Sequence, residues 1–376
     1  MVRASLSMLV PVDCQHIGVR IKAWASVLVS VLKRIEGVES AYQSSRVTLN
    51  TYLSGIQSSG LSHLGNWFGA MRPHIQLQEL EGEHFYFIAD YHALTTSRDP
   101  AVLKNNVREL AVAYLAMGLD PERVTFWRQS DVPQVTEIAW MLSCVTGMGL
   151  LERAHSFKDK VAQGVKPNVG LFTYPALMAA DILAFDPTHV PVGADQKQHV
   201  EMTQDMATSF NAAFGAEVFQ RPEPLIESDE RLAKVVGTDG QKMSKSYGNT
   251  IWLFETGKKL KKAVNQITTD SRPPEEPKDP KGVLLFRFLE LFLPAEELEG
   301  WEARVLEGGV DAPGYGHLKA RLIEQIEETF REGRERRMEF LNDPAEVDRI
   351  LVRGAERARE RAIAVRDRAL KACGLR

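Results

Sequence analysis

Ser54-Gly55-Ile56-Gln57-Ser58-Ser59-Gly60, followed by Leu61-Ser62-His63-Leu64-Gly65-Asn66, leaves a β-rich run, turns, and enters a helical stretch at about Leu64. Small residues in such a turn let the backbone pass close to a ligand. The new helix brings unpaired amides and the positive end of its dipole. On its own the turn serves tight packing as readily as it serves a nucleotide. Outward from it the chain alternates. Arg46-Val47-Thr48-Leu49 opens the preceding strand, and helical spacing runs from Leu64 to about Leu80. His84-Phe85-Tyr86-Phe87-Ile88-Ala89-Asp90 has strand length, Asp99-Pro100 starts a helix reaching about Met117, and Val124-Thr125-Phe126-Trp127 is a further strand. Strands alternating with helices predict βαβ units and a parallel sheet.

From about Gly257 strand-like runs stop. Leu, Phe, Ile and Arg recur at helical spacing to the C-terminus, interrupted by Ser271-Arg272-Pro273-Pro274 and Asp311-Ala312-Pro313-Gly314. The pattern is an α/β domain followed by a helical one, without internal repeats. Residues 1 to 46 differ from both: Arg3, Arg20, Lys22, Lys33 and Arg34 outnumber the acids, and Val19 to Ile35 has patchy helical periodicity. They read as a short appended helix or targeting arm, as a flexible tail, or as translation from an upstream start. Trp24 is the residue there where a partner contact could lie.

The 376 residues suffice for two domains, and 44% hydrophobic with 26% charged residues is an ordinary globular composition. A formal net charge of −4 gives no sign of a polyanion partner; the distribution of charge matters more than its sum. Cys14, Cys144 and Cys373 lie far apart in the sequence, with no zinc spacing and no disulfide framework, which suits a reducing cytoplasm. The apolar run Ala23 to Leu32 falls short of the ~18 residues that span a bilayer.

Lys242-Met243-Ser244-Lys245-Ser246 is the second decisive segment. Two lysines flanking hydroxyls, in a loop rich in Gly and polar residues (237–249), form a cationic clamp. Such a clamp can close on a triphosphate and hold the charge that builds on departing pyrophosphate, whereas a lone loop rich in lysine and serine is usually solvated surface.

Together the two segments resemble the paired signatures of the class I aminoacyl-tRNA synthetases, with His63-Leu64-Gly65-Asn66 as the first signature. The resemblance implies a Rossmann-like parallel-sheet catalytic domain (47–256) with a connective insertion at about 90–180. An all-helical anticodon-binding domain (257–376) would follow, its last helix packing back toward the catalytic domain. It places His63, Asn66, Lys242 and Lys245 at the reacting phosphates, with Gln57, Ser59, Gly65, Gly193, Asp195, Met243, Ser244 and Ser246 completing the ATP site. The amino-acid carboxylate attacks the α-phosphate, so positioning and charge stabilisation supply the rate and no protein nucleophile is needed. Mg²⁺ is expected on the phosphates, held mainly by the substrate, with no metal site of the protein's own.

Further segments are similar to the bacterial tryptophan branch of that family: Tyr174-Pro175-Ala176-Leu177-Met178-Ala179-Ala180-Asp181-Ile182-Leu183, Val190-Pro191-Val192-Gly193-Ala194-Asp195-Gln196, Gln129-Ser130-Asp131-Val132-Pro133, and Phe157-Lys158-Asp159-Lys160 after Glu152-Arg153. Asp181, in a stretch helical from about Pro175, is either a helix-surface acid or a buried acceptor awaiting a donor. In the family's pocket it would take the indole N–H, with Met178 and Val192 as apolar walls, Tyr174 and Gln196 on the ammonium, and Gln57 and His92 assisting. Asp195 would meet the ribose, and Gly65 and Gly193 would let adenine lie on backbone. Partners implied are L-tryptophan, ATP and tRNA(Trp), in a cytoplasmic C2 homodimer. The chain departs from the branch at His63 (commonly threonine), Ser58 (commonly proline) and Leu53 (often aromatic), the last a change at the pocket's edge. Lys258, Lys259, Lys261 and Lys262 read as an acceptor-stem contact or a solvated helix face. The last helix, Val347 to Leu375, combines basic residues with much packing surface. A tyrosine–tRNA ligase of the same fold, or a tryptophan-binding regulatory paralogue, are the alternatives.

Overall fold

The computed structural model describes residues 49–376 apart from 59, 155–156, 159–161, 163, 165 and 227–228. The readings placed on residues 1–48, with Trp24 and the strand start at Arg46, and on Ser59, Asp159 and Lys160 lie outside the described residues.

Five parallel strands, β1 (Thr51–Ile56), β2 (Glu83–Ile88), β3 (Val124–Arg128), β4 (His189–Val192) and β5 (Glu223–Ile226), form one sheet in the order β3-β2-β1-β4-β5. β1 and β2 read as near-continuous buried runs because elements pack on both of their faces. β5 tolerates Pro224 because it lies at the edge, where one row of backbone donors is unused. Strand order reverses between β1 and β4, and ligands of open α/β sheets bind at the carboxyl ends of strands flanking such a switch. Ser54 reinforces this junction: its hydroxyl donates to Pro191 O (3.1 Å) and lies 3.1 Å from His74 Nε2. With Ser54's proton committed, His74 donates from Nε2 and accepts the Tyr114 hydroxyl at Nδ1 (3.0 Å). Burial lowers His74 to about 4, so the ring stays neutral.

The longer helices are α1 (Pro100–Ala116), α2 (Gln134–Val145), α3 (Val169–Leu183), α4 (Lys197–Phe214), α5 (Gly257–Asn265), α6 (Ala295–Glu307), α7 (Tyr315–Thr329), α8 (Arg331–Asn342) and α9 (Pro344–Ala372). Asp99 caps α1, its Oδ1 accepting from Ala101 N–H (2.8 Å) and Val102 N–H (3.1 Å). Three readings need correction. The stretch after Leu64 is not uniform: Trp67–Met71 is a π-turn, Arg72 N–H reaching Trp67 O, and ordinary helix resumes at Arg72–Leu77. α3 begins at Val169 rather than Pro175, because Asn168 caps it (Oδ1 to Leu171 N–H, 2.9 Å) and the proline is carried inside. The last helix starts at Pro344 and ends at Ala372, since the Asp343 side chain caps its first turn at Glu346 N–H.

α9 lies on β3 and α2. Gly354 permits this, since a Cβ there would sit 1.9 Å from Phe126 O. The arginines of α9 are engaged with the sheet half. Arg357 donates to Pro121 O, Arg359 to Asp131 O and Arg368 to Val218 O, while Arg353 and Arg361 pair with Glu122 and Glu83. Gly354→Ala should therefore cost about 1–3 kcal/mol of stability through overpacking. The urea midpoint measures it, and an unchanged midpoint would mean that α9 does not sit on β3 this closely.

Candidate functional site

The candidate cleft is the one at the carboxyl ends of β1 and β4, where open α/β sheets bind their ligands. Two backbone hydrogen bonds, Leu64 N–H to Ile251 O and Leu253 N–H to Ser62 O (both 3.0 Å), clip the first signature to the segment leaving the lysine loop. At the clip His63 and Trp252 pair as an antiparallel bridge. His63 caps the next turn: its Nδ1 accepts from Asn66 N–H (3.3 Å), and Asn66 Oδ1 accepts from His63 N–H (3.1 Å). Nδ1 is thus unprotonated and the proton sits on Nε2. Burial, with the nearby Lys245 charge, lowers His63 to about 4, which agrees with a neutral ring. His63 therefore offers the cleft a single N–H donor, and Asn66 retains its amide NH₂.

The lysine loop is shaped by Asn249, which is buried. Its Nδ2 donates to Asp239 Oδ1 (2.7 Å) and Lys242 O (3.2 Å), and its Oδ1 accepts from Ser244 N–H (2.8 Å). Gly237 is required there, because a Cβ would meet Asn249 Nδ2 at 2.2 Å. Met243 is buried and faces Gly65, where a Cβ would lie 3.5 Å from Met243 Cβ. Lys242 and Ser246 are exposed, and Ser244 Oγ lies 2.9 Å from Ser246 Oγ. Lys245 is half-buried: its Nζ is 5.9 Å from the Trp252 ring centroid, and a Cβ on Gly60 would lie 3.7 Å from it and 3.4 Å from Oδ1 of Asn106 in α1. Burial lowers it to about 8. Gln57 is exposed beside this turn, and the buried Ser58 hydroxyl has no hydrogen-bond partner among the described residues.

A second cluster lies at the ends of β2, β3 and α3. Asp181 is 1% exposed, which excludes the helix-surface alternative. Its donors are in place: Gln129 Nε2 reaches Oδ1 (2.7 Å) and Oδ2 (2.8 Å), and His92 Nε2 reaches Oδ2 (2.7 Å). Burial raises Asp181 above the usual carboxylate range, and the bonds from His92 and Gln129 oppose the rise. Gln129 is held by Tyr91 N–H at Oε1 (3.0 Å), so its NH₂ must face Asp181. Asp90 braces the same corner, accepting Tyr91 N–H (3.0 Å) and Ser130 N–H (2.9 Å). Tyr174 stands edge-on to His92 at 6.1 Å between centroids, its hydroxyl 2.7 Å from His199 Nε2. Met178 and Val192 are half-buried against the adjoining core, while Leu53 is wholly inside it rather than at a pocket edge. Gly193, Asp195 and Gln196 follow β4. A Cβ on Gly193 would lie 2.7 Å from Asp195 Oδ1, so the carboxylate folds back over the glycine.

Sequence reasoning gave no role to Gln129, Trp252, Asn106 or Asn249. Gln129 had a usable signal, a polar residue directly after a strand of a parallel sheet. For the other three only the fold brings them to the cleft.

A model of the family described as tRNA synthetases class I (W and Y) matches residues 48–331. The tryptophan–tRNA ligase of Rhodopirellula baltica is 52% identical over 324 residues, 86% of this chain and 99% of that protein. The tryptophan–tRNA ligase of Fusobacterium nucleatum is 49% identical over 323 residues, covering 86% and 97%. Among solved structures, tryptophanyl-tRNA synthetase from Campylobacter jejuni complexed with ADP and tryptophan matches with a TM-score of 0.80 at 46% identity, over 86% of this chain and 100% of that one.

An ammonium held near 8 is present below that pH and lost above it. Calorimetric affinity for pyrophosphate should fall as pH rises through about 8, and Lys245→Met should remove that fall. A fall that survives the substitution would place the titrating group elsewhere.

Proposed function

The chain belongs to the class I tRNA synthetases for tryptophan and tyrosine, and we propose that it is a tryptophan–tRNA ligase, forming tryptophanyl-adenylate from L-tryptophan and ATP and then charging tRNA(Trp). The observation that carries this reading is Asp181. Gln129 Nε2 donates to both of its oxygens, and with the carboxylate ionised His92 Nε2 donates to Oδ2, so Asp181 is held as an acceptor. Of the roughly four acceptor directions of a carboxylate, three are taken, which leaves one for an indole N–H. That bond is worth about 1.5–3 kcal/mol, or roughly 10–100-fold against a ring without the donor. Met178 and Val192 flank the ring, His92 stands at its edge, and Tyr174, Gln57 and Gln196 receive the ammonium.

ATP lies along the clip. His63 donates from Nε2 to phosphate oxygens, with the Asn66 amide beside it. Gly65, Met243 and Gly193 give adenine a flat bed, and Asp195 takes the ribose hydroxyls. As the tryptophan carboxylate attacks the α-phosphate and the bond to pyrophosphate breaks, negative charge moves to the leaving oxygens. Lys242, Lys245 and the Ser244 and Ser246 hydroxyls neutralise it without reorganisation. Mg²⁺ enters as part of the ATP substrate. Among the described residues no group of three or more His, Cys, Asp or Glu could hold a metal ion.

The second step uses the rest of the chain. The exposed lysines of α5 adjoin the loop and are assigned to acceptor-stem phosphates, whereas the arginines of α9 are spent on intramolecular bonds. Residues 257–376 are assigned to anticodon recognition. Trp140, Met148 and Val169 expose apolar surface along one segment of the sheet half, a surface suited to a second copy in a C2 dimer. No described helix is long and apolar enough to cross a membrane; the ligase is assigned to the cytoplasm.

ATP–pyrophosphate exchange tests the assignment. Tryptophan should stimulate it and tyrosine should not, and Lys245→Ala should lower the rate by orders of magnitude. Stimulation by tyrosine alone would overturn the choice of amino acid; full activity in Lys245→Ala would overturn the role of the loop.

A further inference from the structure

Trp252 stands where the two signatures meet, and nothing in the chemistry above uses it. Its neighbours Ile251 and Leu253 have no exposed surface, whereas Trp252 is only partly buried. Alternation along an extended segment explains the difference: the flanking residues face the core and Trp252 faces the cleft. Its indole is shared. The His63 ring lies edge-on to it, at 6.2 Å between centroids and 61° between planes, and Lys245 Nζ lies 5.9 Å from its centroid. Backbone pairing with His63 fixes where the indole starts, and the bonds from Leu64 and Leu253 fix the strand that carries it.

We infer that Trp252 is a positioning residue for adenylate formation, its indole holding Lys245 and His63 in a fixed relation so that the two signatures act on one triphosphate as a unit. The inference rests on the ligase reading above. A lysine carries a flexible four-carbon stem and gains little from being a point charge unless something places it. The negative face of an indole attracts an ammonium within about 6 Å and does so more strongly where water is thinned out. Lys245 Nζ also adjoins Gly60, where a Cβ would lie 3.7 Å from it and 3.4 Å from Asn106 Oδ1, so the ammonium has little room to swing away from the ring. An aliphatic side chain of similar bulk would fill the same space without attracting the charge. A phenyl ring would keep a weaker form of the attraction. The two substitutions therefore separate packing from positioning.

Full-length Trp252→Phe and Trp252→Leu are compared with wild type in tryptophan-dependent ATP–pyrophosphate exchange. Trp252→Phe should stay within about threefold of wild type. Trp252→Leu should lose roughly tenfold in kcat and in kcat/KM for ATP together, because the missing contact acts on the transition state. KM for tryptophan should be unchanged in both variants, since Asp181 lies in the other cluster. Pyrophosphate affinity, measured by calorimetry on the same preparations, should be weakened by Leu and preserved by Phe. This second arm tests the Lys245 pairing whichever amino acid is activated, and wild-type protein without tryptophan-dependent exchange would refute the ligase reading instead. A Leu variant matching wild type in both arms overturns the inference. So does a Phe variant as impaired as Leu, or a loss confined to KM for tryptophan.

Discussion

Two hydrogen bonds, Leu64 N–H to Ile251 O and Leu253 N–H to Ser62 O, join segments that are distant in sequence, and the cleft depends on them. Neither signature is a site by itself. The first is a turn at the start of a helix, and the second is a lysine loop held in shape by Asn249. The clip turns them into facing walls. It also explains their opposite electrostatic states. Burial makes the charged form costly for both groups, so His63 is neutral at physiological pH, and Lys245 is left as the titratable cation that a phosphate would meet. A neutral donor opposite a labile cation suits a substrate whose negative charge moves during reaction.

The same economy governs the cluster around Asp181. A carboxylate with almost no solvent contact is costly unless donors surround it. Gln129 and His92 supply them, and Tyr91 N–H holds the Gln129 amide in the one orientation that donates. The polar groups of the pocket thus form a chain rooted in backbone. Removing one member disturbs the others, and this is how a small pocket keeps its acceptor pointed at one spot.

The parallel sheet, the change to helices near residue 257 and the two signature segments were legible in the sequence because they rest on local signals: alternation, turn chemistry and a rare run of lysines and hydroxyls. Boundaries set by side-chain caps were less so. Pro175 suggested a helix start, but Asn168 outcompeted it. Asp181 showed that something unusual occupied an apolar helix, yet only packing could decide between surface and interior. Trp252 carried no signal. A tryptophan between Ile251 and Leu253 reads as core, and its place in the cleft depends on which face of a two-residue bridge turns inward. The arginines of α9 mislead in the opposite sense, since a basic face suggests phosphate while the fold spends it on carbonyls and carboxylates of the sheet half.

The central claim is that Asp181 selects the substrate by accepting an indole N–H. The most direct measurement compares kcat/KM for tryptophan with that for the analogue bearing sulfur in place of the indole N–H, in wild type and in Asp181→Ala. Wild type should favour tryptophan by roughly 10–100-fold, and the variant should lose most of that preference. Equal use of both compounds by wild type, or an undiminished preference in Asp181→Ala, would contradict the account.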